Sequence, residues 1–142
     1  MMKKSTGELL EIMKSKRSYD EFLAEKSGEL IDTTLSKYLE ELAEKKRLKK
    51  SEIINKGNLD KNYAYQIFNG TKTNPSRNKV IMLAFGMELN LKETSELLRI
   101  ANKSDLYVRD ARDSVIIFGI NKKMTLIQVN ELLLDHGLAI LE

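Results

Sequence analysis

One pattern restricts the fold of this 142-residue chain more than any other: a self-similarity at an offset of 35 residues. The apolar run Val80-Ile81-Met82-Leu83-Ala84-Phe85 reappears as Val115-Ile116-Ile117-Phe118-Gly119-Ile120. At the same offset Leu91, Glu96, Leu97 and Leu98 match Leu126, Glu131, Leu132 and Leu133, and Arg77 matches Arg112. In each copy the second segment opens on a polar residue with Glu or Gln three positions on, Asn90 with Glu93 and Thr125 with Gln128, the spacing of a helix capping box. Each copy therefore reads as helix, short turn, helix. Two copies are too few for a solenoid, so they are expected to stack as a pair of helical hairpins around one core.

Ahead of the repeat, Leu35, Tyr38, Leu39 and Leu42 recur at three- and four-residue spacing, which predicts an amphipathic helix from Thr34 to about Lys46. Residues 1–33 read as two short helices opened at Ser5 and Ser18, packing or dimerisation material that must dock on something to persist. The chain is 42% hydrophobic with a single proline, enough apolar content for a compact all-α domain. No window approaches a membrane-spanning apolar run and the first residues lack a secretory signal, so neither a membrane partner nor export is expected. The absence of cysteine excludes disulfides and thiolate zinc sites, and fits a cytoplasmic location.

The net charge of +3 conceals a partition. Residues 1–44 carry 7 basic and 10 acidic side chains, residues 45–79 carry 10 and 2, and residues 80–142 carry 7 and 9. A basic block between two mildly acidic flanks is the electrostatic footprint of a nucleic-acid-binding surface.

Within that block, Lys49 to Arg77 divides into a short helix at about Ser51 to Lys56, a turn at Gly57-Asn58, and a second helix from Lys61 to about Phe68. Ile53 and Ile54 supply the inward face of the first helix, and Leu59 plugs the turn. Asp60 is suited to cap the second helix, and Asn69-Gly70 to stop it. With Ala64 and Ile67 buried, Lys61, Asn62, Tyr63, Tyr65 and Gln66 are expected to point outward. Those types suit a major groove: Asn and Gln pair with adenine, Lys donates to guanine, and Tyr reaches a phosphate or a thymine methyl.

From Leu35 to Leu89 the chain resembles the Cro and lambda-repressor (XRE) family of helix-turn-helix proteins. The likeness rests on Ala64 where that family packs its two helices closely, Leu59 in the turn, and Ile67-Phe68-Asn69-Gly70 followed by Asn74-Pro75-Ser76. It implies that Lys61, Asn62 and Gln66 contact base edges. It also implies backbone or supporting contacts from Lys50, Ser51, Tyr63 and Tyr65, and from Lys72, Asn74 and Arg77 in the basic loop. The chain departs from the family at Lys49, where a Thr or Ser cap is usual, at Ile54, where a small residue is usual, and at Asn58, where Gly is usual nearby.

Other chemistry is sparsely represented. His136 is the only histidine and sits at an expected helix end, so neither a metal site nor a histidine-based triad has partners, and no cofactor is implied. Asn69-Gly70-Thr71-Lys72 lacks the strand and spacing of a phosphate loop. Arg109, Asp110, Arg112 and Asp113 are expected to form a local ion-pair cluster, with binding of an acidic partner the lesser alternative.

The expected organisation is an all-α helical bundle: residues 1–33 as N-terminal helices, 34–89 as a helix-turn-helix module, and 90–142 as a helical extension packed on it. The expected activity is non-enzymatic, sequence-specific binding of double-stranded DNA by a transcriptional regulator, with repression the commoner outcome for the resembled family. A homodimer is expected to match a two-fold operator. The alternative is a protein–protein adaptor that uses the C-terminal helices and has lost DNA affinity.

Overall fold

The computed structural model describes residues 34–142, so the two short helices expected within residues 1–33 lie outside the described residues. Seven α-helices follow one another: α1 (Leu35–Lys45), α2 (Lys50–Lys56), α3 (Lys61–Phe68), α4 (Arg77–Gly86), α5 (Leu91–Ile100), α6 (Ala111–Asn121) and α7 (Leu126–Asp135). Among the described residues there is no strand, and the protein is an all-α helical bundle.

Local chemistry starts most of these helices where they start. Thr34, Asp60, Ser76, Asn90, Asp110 and Thr125 each accept a backbone N–H of the first turn with a side-chain oxygen. This satisfies a donor that the helix itself cannot. Asn90 with Glu93 and Thr125 with Gln128 close full capping boxes. Lys49 precedes α2 without a side-chain cap.

The helix ends share one device. Arg47, Asn58, Glu88, Asn102 and Lys123 hold left-handed backbone angles of φ 48–58°, as do Gly70 and Gly137 at larger φ. In most cases the next N–H then reaches back to the carbonyl five residues earlier, as from Leu48 to Ala43, Leu89 to Ala84 and Met124 to Gly119. After five of the seven an apolar residue, Leu48, Leu59, Leu89, Met124 or Leu138, folds onto the body, which is the Schellman arrangement.

The 35-residue repeat is visible in the fold. Helix α5 spans Leu91–Ile100 and α7 spans Leu126–Asp135, the same interval displaced by 35. Arg77 Nε and Nη2 donate to the carbonyls of Ser104 and Asp105, both at 3.0 Å. Arg112 Nε and Nη2 donate to those of Ala139 and Ile140 at 2.7 and 3.0 Å, again 35 residues on. In each hairpin the guanidinium therefore pins the segment that follows the second helix.

The expected ion-pair cluster within residues 109–113 is not what forms. Asp113 pairs with Arg77 of the first hairpin, while Asp110 caps α6 and Arg112 is taken up by main-chain carbonyls. Asp113 is 6% exposed, and a buried carboxylate takes the partner that can bind both its oxygens at once. Arg77 supplies that fork from across the hairpin interface.

Helix α4 is the centre of the bundle. It packs against α2, α5 and α7, and every residue from Val80 to Gly86 is buried. An all-round apolar helix is what such a position demands. Close approach by α2 depends on Gly86, where a Cβ would overlap the Ile53 carbonyl oxygen. A single core runs from Leu35 through Leu141, so residues 34–142 fold as one compact unit.

Candidate nucleic-acid interface

Helices α2 and α3 are joined by Gly57-Asn58-Leu59-Asp60. Asn58 provides the left-handed turn at φ 48°, and Leu59 is buried beneath it, 8% exposed. Asp60 Oδ2 accepts the Tyr63 N–H at 2.9 Å, fixing the start of α3. Helix α2 is held by α4 and α3 by α1, so both short helices are positioned by the body. Ala64 and Ile67 are fully buried on the inner face of α3.

The outer face of α3 presents Lys61, Asn62 and Tyr65 to solvent, with Gln66 half-buried. Tyr65 is 37% exposed, a large aromatic side chain left partly uncovered. Lys61 and Tyr65 share an open groove with Ser51, Asn55 and Asn58 from α2 and the turn. Four of the expected contact residues, Lys61, Asn62, Tyr65 and Gln66, therefore lie on one helix, and Ser51 lines the groove beside them. Sequence patterning alone does not assign Asn55 and Asn58 to this interface. Their signal is present as amide side chains on the exposed positions of α2 and its turn.

Other expected contact residues are placed differently. Tyr63 is half-buried rather than outward, packed against the core with Lys79 Nζ 6.0 Å from its ring centre. It lies next to Ala64 on the side of α3 that meets the body, which is why its ring is covered. Lys50 bridges Glu40 at 2.6 Å and lies 5.4 Å from the centre of the Phe68 ring, so it braces α2 against α1 and α3.

Lys72 is exposed, and its N–H bonds the Gln66 carbonyl at 3.0 Å. That bond ties the loop to the last turn of α3. Asn74 is exposed and accepts from Lys103 Nζ at 2.8 Å. Arg77 departs most from expectation. It is the first residue of α4, and its guanidinium is consumed by Asp113, Ser104 and Asp105.

The electrostatic consequence is a thinner but still basic surface. Of the ten basic residues in positions 45–79, Lys46, Lys50, Lys56 and Arg77 are ion-paired, with Glu93, Glu40, Glu88 and Asp113. Lys45, Arg47, Lys49, Lys61, Lys72 and Lys79 form no ion pair with another described residue. Among the described residues no group of three or more His, Asp or Glu is arranged to hold a metal ion, and no helix is long and apolar enough to cross a membrane. Comparison with protein-family models, curated proteins and solved structures finds no match to this chain.

Proposed function

We propose that this protein is a sequence-specific duplex-DNA-binding regulator that lays α3 in the major groove. The observation carrying this reading is the outer face of α3. Lys61, Asn62, Tyr65 and Gln66 stand together on a helix anchored at its other face, within the most basic segment of the chain. A helix fits the width of the major groove, and amide and lysine side chains match the donors and acceptors on its base edges. Lys72 and the residues Lys45, Arg47 and Lys49, which pair with no other described residue, supply phosphate contacts that set register without reading sequence.

Occupying an operator in this way makes the protein a transcriptional regulator, and repression is the simplest consequence. A two-fold operator is met by a homodimer whose paired α3 helices lie about one helical turn apart. The test is titration of the full chain against a pool of random duplexes at increasing salt. Enrichment of a defined sequence, with affinity falling steeply as salt rises, supports the proposal. No duplex binding at low salt would reject it and favour a protein–protein adaptor.

A further inference from the structure

The internal repeat places two equivalent surfaces on the molecule, one per hairpin. In the first, α5 and the segment after it form an open groove lined by Lys92, Ser95, Glu96, Arg99, Lys103 and Asp105. Displaced by 35 residues, the same positions in the second hairpin are Ile127, Asn130, Glu131, Leu134, Leu138 and Ile140. Helices α5 and α7 have equivalent bounds, and the segments after them are pinned by equivalent arginine–carbonyl bonds. One scaffold thus carries a charged groove in the first hairpin and an apolar face at the equivalent positions of the second.

The face of the second hairpin is apolar and exposed. Ile127 and Leu134, where the first hairpin has Lys92 and Arg99, are each 69% exposed. They lie seven residues apart on one face of α7. Asn130 Nδ2 donates to the Leu141 carbonyl at 3.0 Å, and its Oδ1 accepts the Leu141 N–H at 2.8 Å. These two bonds hold the Leu138–Ile140 wall against α7. Exposed aliphatic side chains at heptad spacing, rimmed by charge, mark an interaction surface.

The charges at the two ends of α7 indicate the occupant. Lys122 and Lys123 precede the helix, while Glu131 and Asp135 lie in its second half. The first hairpin has Met87, Glu88, Glu96 and Ile100 at those positions and so lacks this polarity. A second α7 laid antiparallel would set each basic end beside an acidic one and Ile127 against Leu134. In that register Glu131 comes opposite Asn130 of the other copy, not its own counterpart.

We infer that the apolar face of α7 docks a second copy of this chain, antiparallel and two-fold symmetric, with Ile127 and Leu134 at its centre. The inference supplies a surface for the homodimer in the proposed function, but it is measured without DNA. Failure of duplex binding therefore leaves it standing, and its own failure leaves the DNA reading standing.

The experiment is sedimentation velocity of the full chain over a wide concentration range. The wild type should show a monomer–dimer equilibrium. Ile127→Lys with Leu134→Arg installs the residues that the first hairpin carries on the same scaffold, so folding is retained, checked by an unchanged circular dichroism spectrum and a cooperative melt. Its dimer should be weaker by roughly tenfold or more. Lys122→Glu with Lys123→Glu, and separately Glu131→Lys with Asp135→Lys, should each remain monomeric alone and associate when mixed. A monomeric wild type, an undiminished dimer in the Ile127/Leu134 variant, or charge variants that fail to associate on mixing would overturn the inference.

Discussion

Arg77 and Asp113, 36 residues apart in sequence, form a two-pronged ion pair at 3.0 and 2.9 Å that joins the first helical hairpin to the second. The carboxylate is also the acceptor for the Tyr107 N–H at 3.0 Å, so it fixes the entry into α6 as well. Removing one member of such a pair leaves the other buried and uncompensated. Asp113→Ala is expected to destabilise the protein by roughly 3 kcal/mol in urea titrations followed by circular dichroism. Arg77→Ala should cost a similar amount, since Arg77 also holds the Ser104 and Asp105 carbonyls.

The same pair should set the acid limit of stability. Burial pushes the Asp113 carboxyl up, but the Arg77 hydrogen bonds and charge and the Tyr107 N–H more than offset this and hold it below the usual carboxylate range. Glu93 is likewise held low, against its burial, by the Asn90 N–H and Lys46. A carboxylate whose pKa is lower folded than unfolded contributes stability that is complete above the unfolded value, about 3.9 for Asp and 4.3 for Glu. That contribution is lost as pH falls through the folded value. The urea midpoint should therefore be little changed by these groups between pH 7 and 5 and fall below about pH 4. In Asp113→Asn, which lacks the titrating group, the acid fall should be shallower from a lower starting stability.

How much of this was legible in the sequence depends on the range of each interaction. The hairpins, their capping boxes and the cap at Asp60 were readable because capping and periodicity act over three or four residues. The destination of Arg77 was not. A guanidinium in a basic loop looks identical whether it meets a phosphate or a carboxylate 36 residues on. The aligned Arg112 held the clue, since a repeated arginine at the head of each hairpin points to a repeated structural duty. The left-handed Arg47, Glu88 and Lys123 were likewise hidden, because residue type gives no sign of φ there. The apolar residue after each of them was the available signal. In the candidate interface, Tyr63 and Tyr65 look alike in sequence, and only the position of the body against α3 separates them.

Two backbone positions test the packing account in opposite directions. Gly86→Ala would drive a methyl group into the Ile53 carbonyl oxygen, where there is no room and a main-chain atom cannot rotate away. Helix α2 must shift off α4, at a cost of roughly 2–3 kcal/mol in chemical denaturation.

Lys123→Gly should do the reverse. Lys123 holds φ 56° after α6, is exposed, and forms no ion pair with another described residue. Glycine tolerates that geometry without the Cβ clash, so the variant is expected to gain about 1 kcal/mol. A rise in melting temperature of several degrees would report it.

The contrast between Lys72 and Arg77 tests the DNA reading most sharply. Both lie in the basic segment and both were expected at the nucleic-acid backbone, yet Lys72 is exposed while the Arg77 charge is neutralised by Asp113. Each phosphate contact contributes close to one unit to the slope of log affinity against log salt. Lys72→Ala is therefore expected to lower that slope by about one and weaken binding to all duplexes alike. Arg77→Gln, which removes the charge, should lower thermal stability and leave the slope unchanged when measured below its melting temperature. Lys61→Ala and Gln66→Ala should instead relax preference at individual base pairs, each by roughly 1–3 kcal/mol of discrimination. Binding-site selection with each variant, run at two salt concentrations, separates these effects. Equal slope losses for Lys72 and Arg77 would mean that the ion pair with Asp113 opens on DNA and that the two hairpins part there.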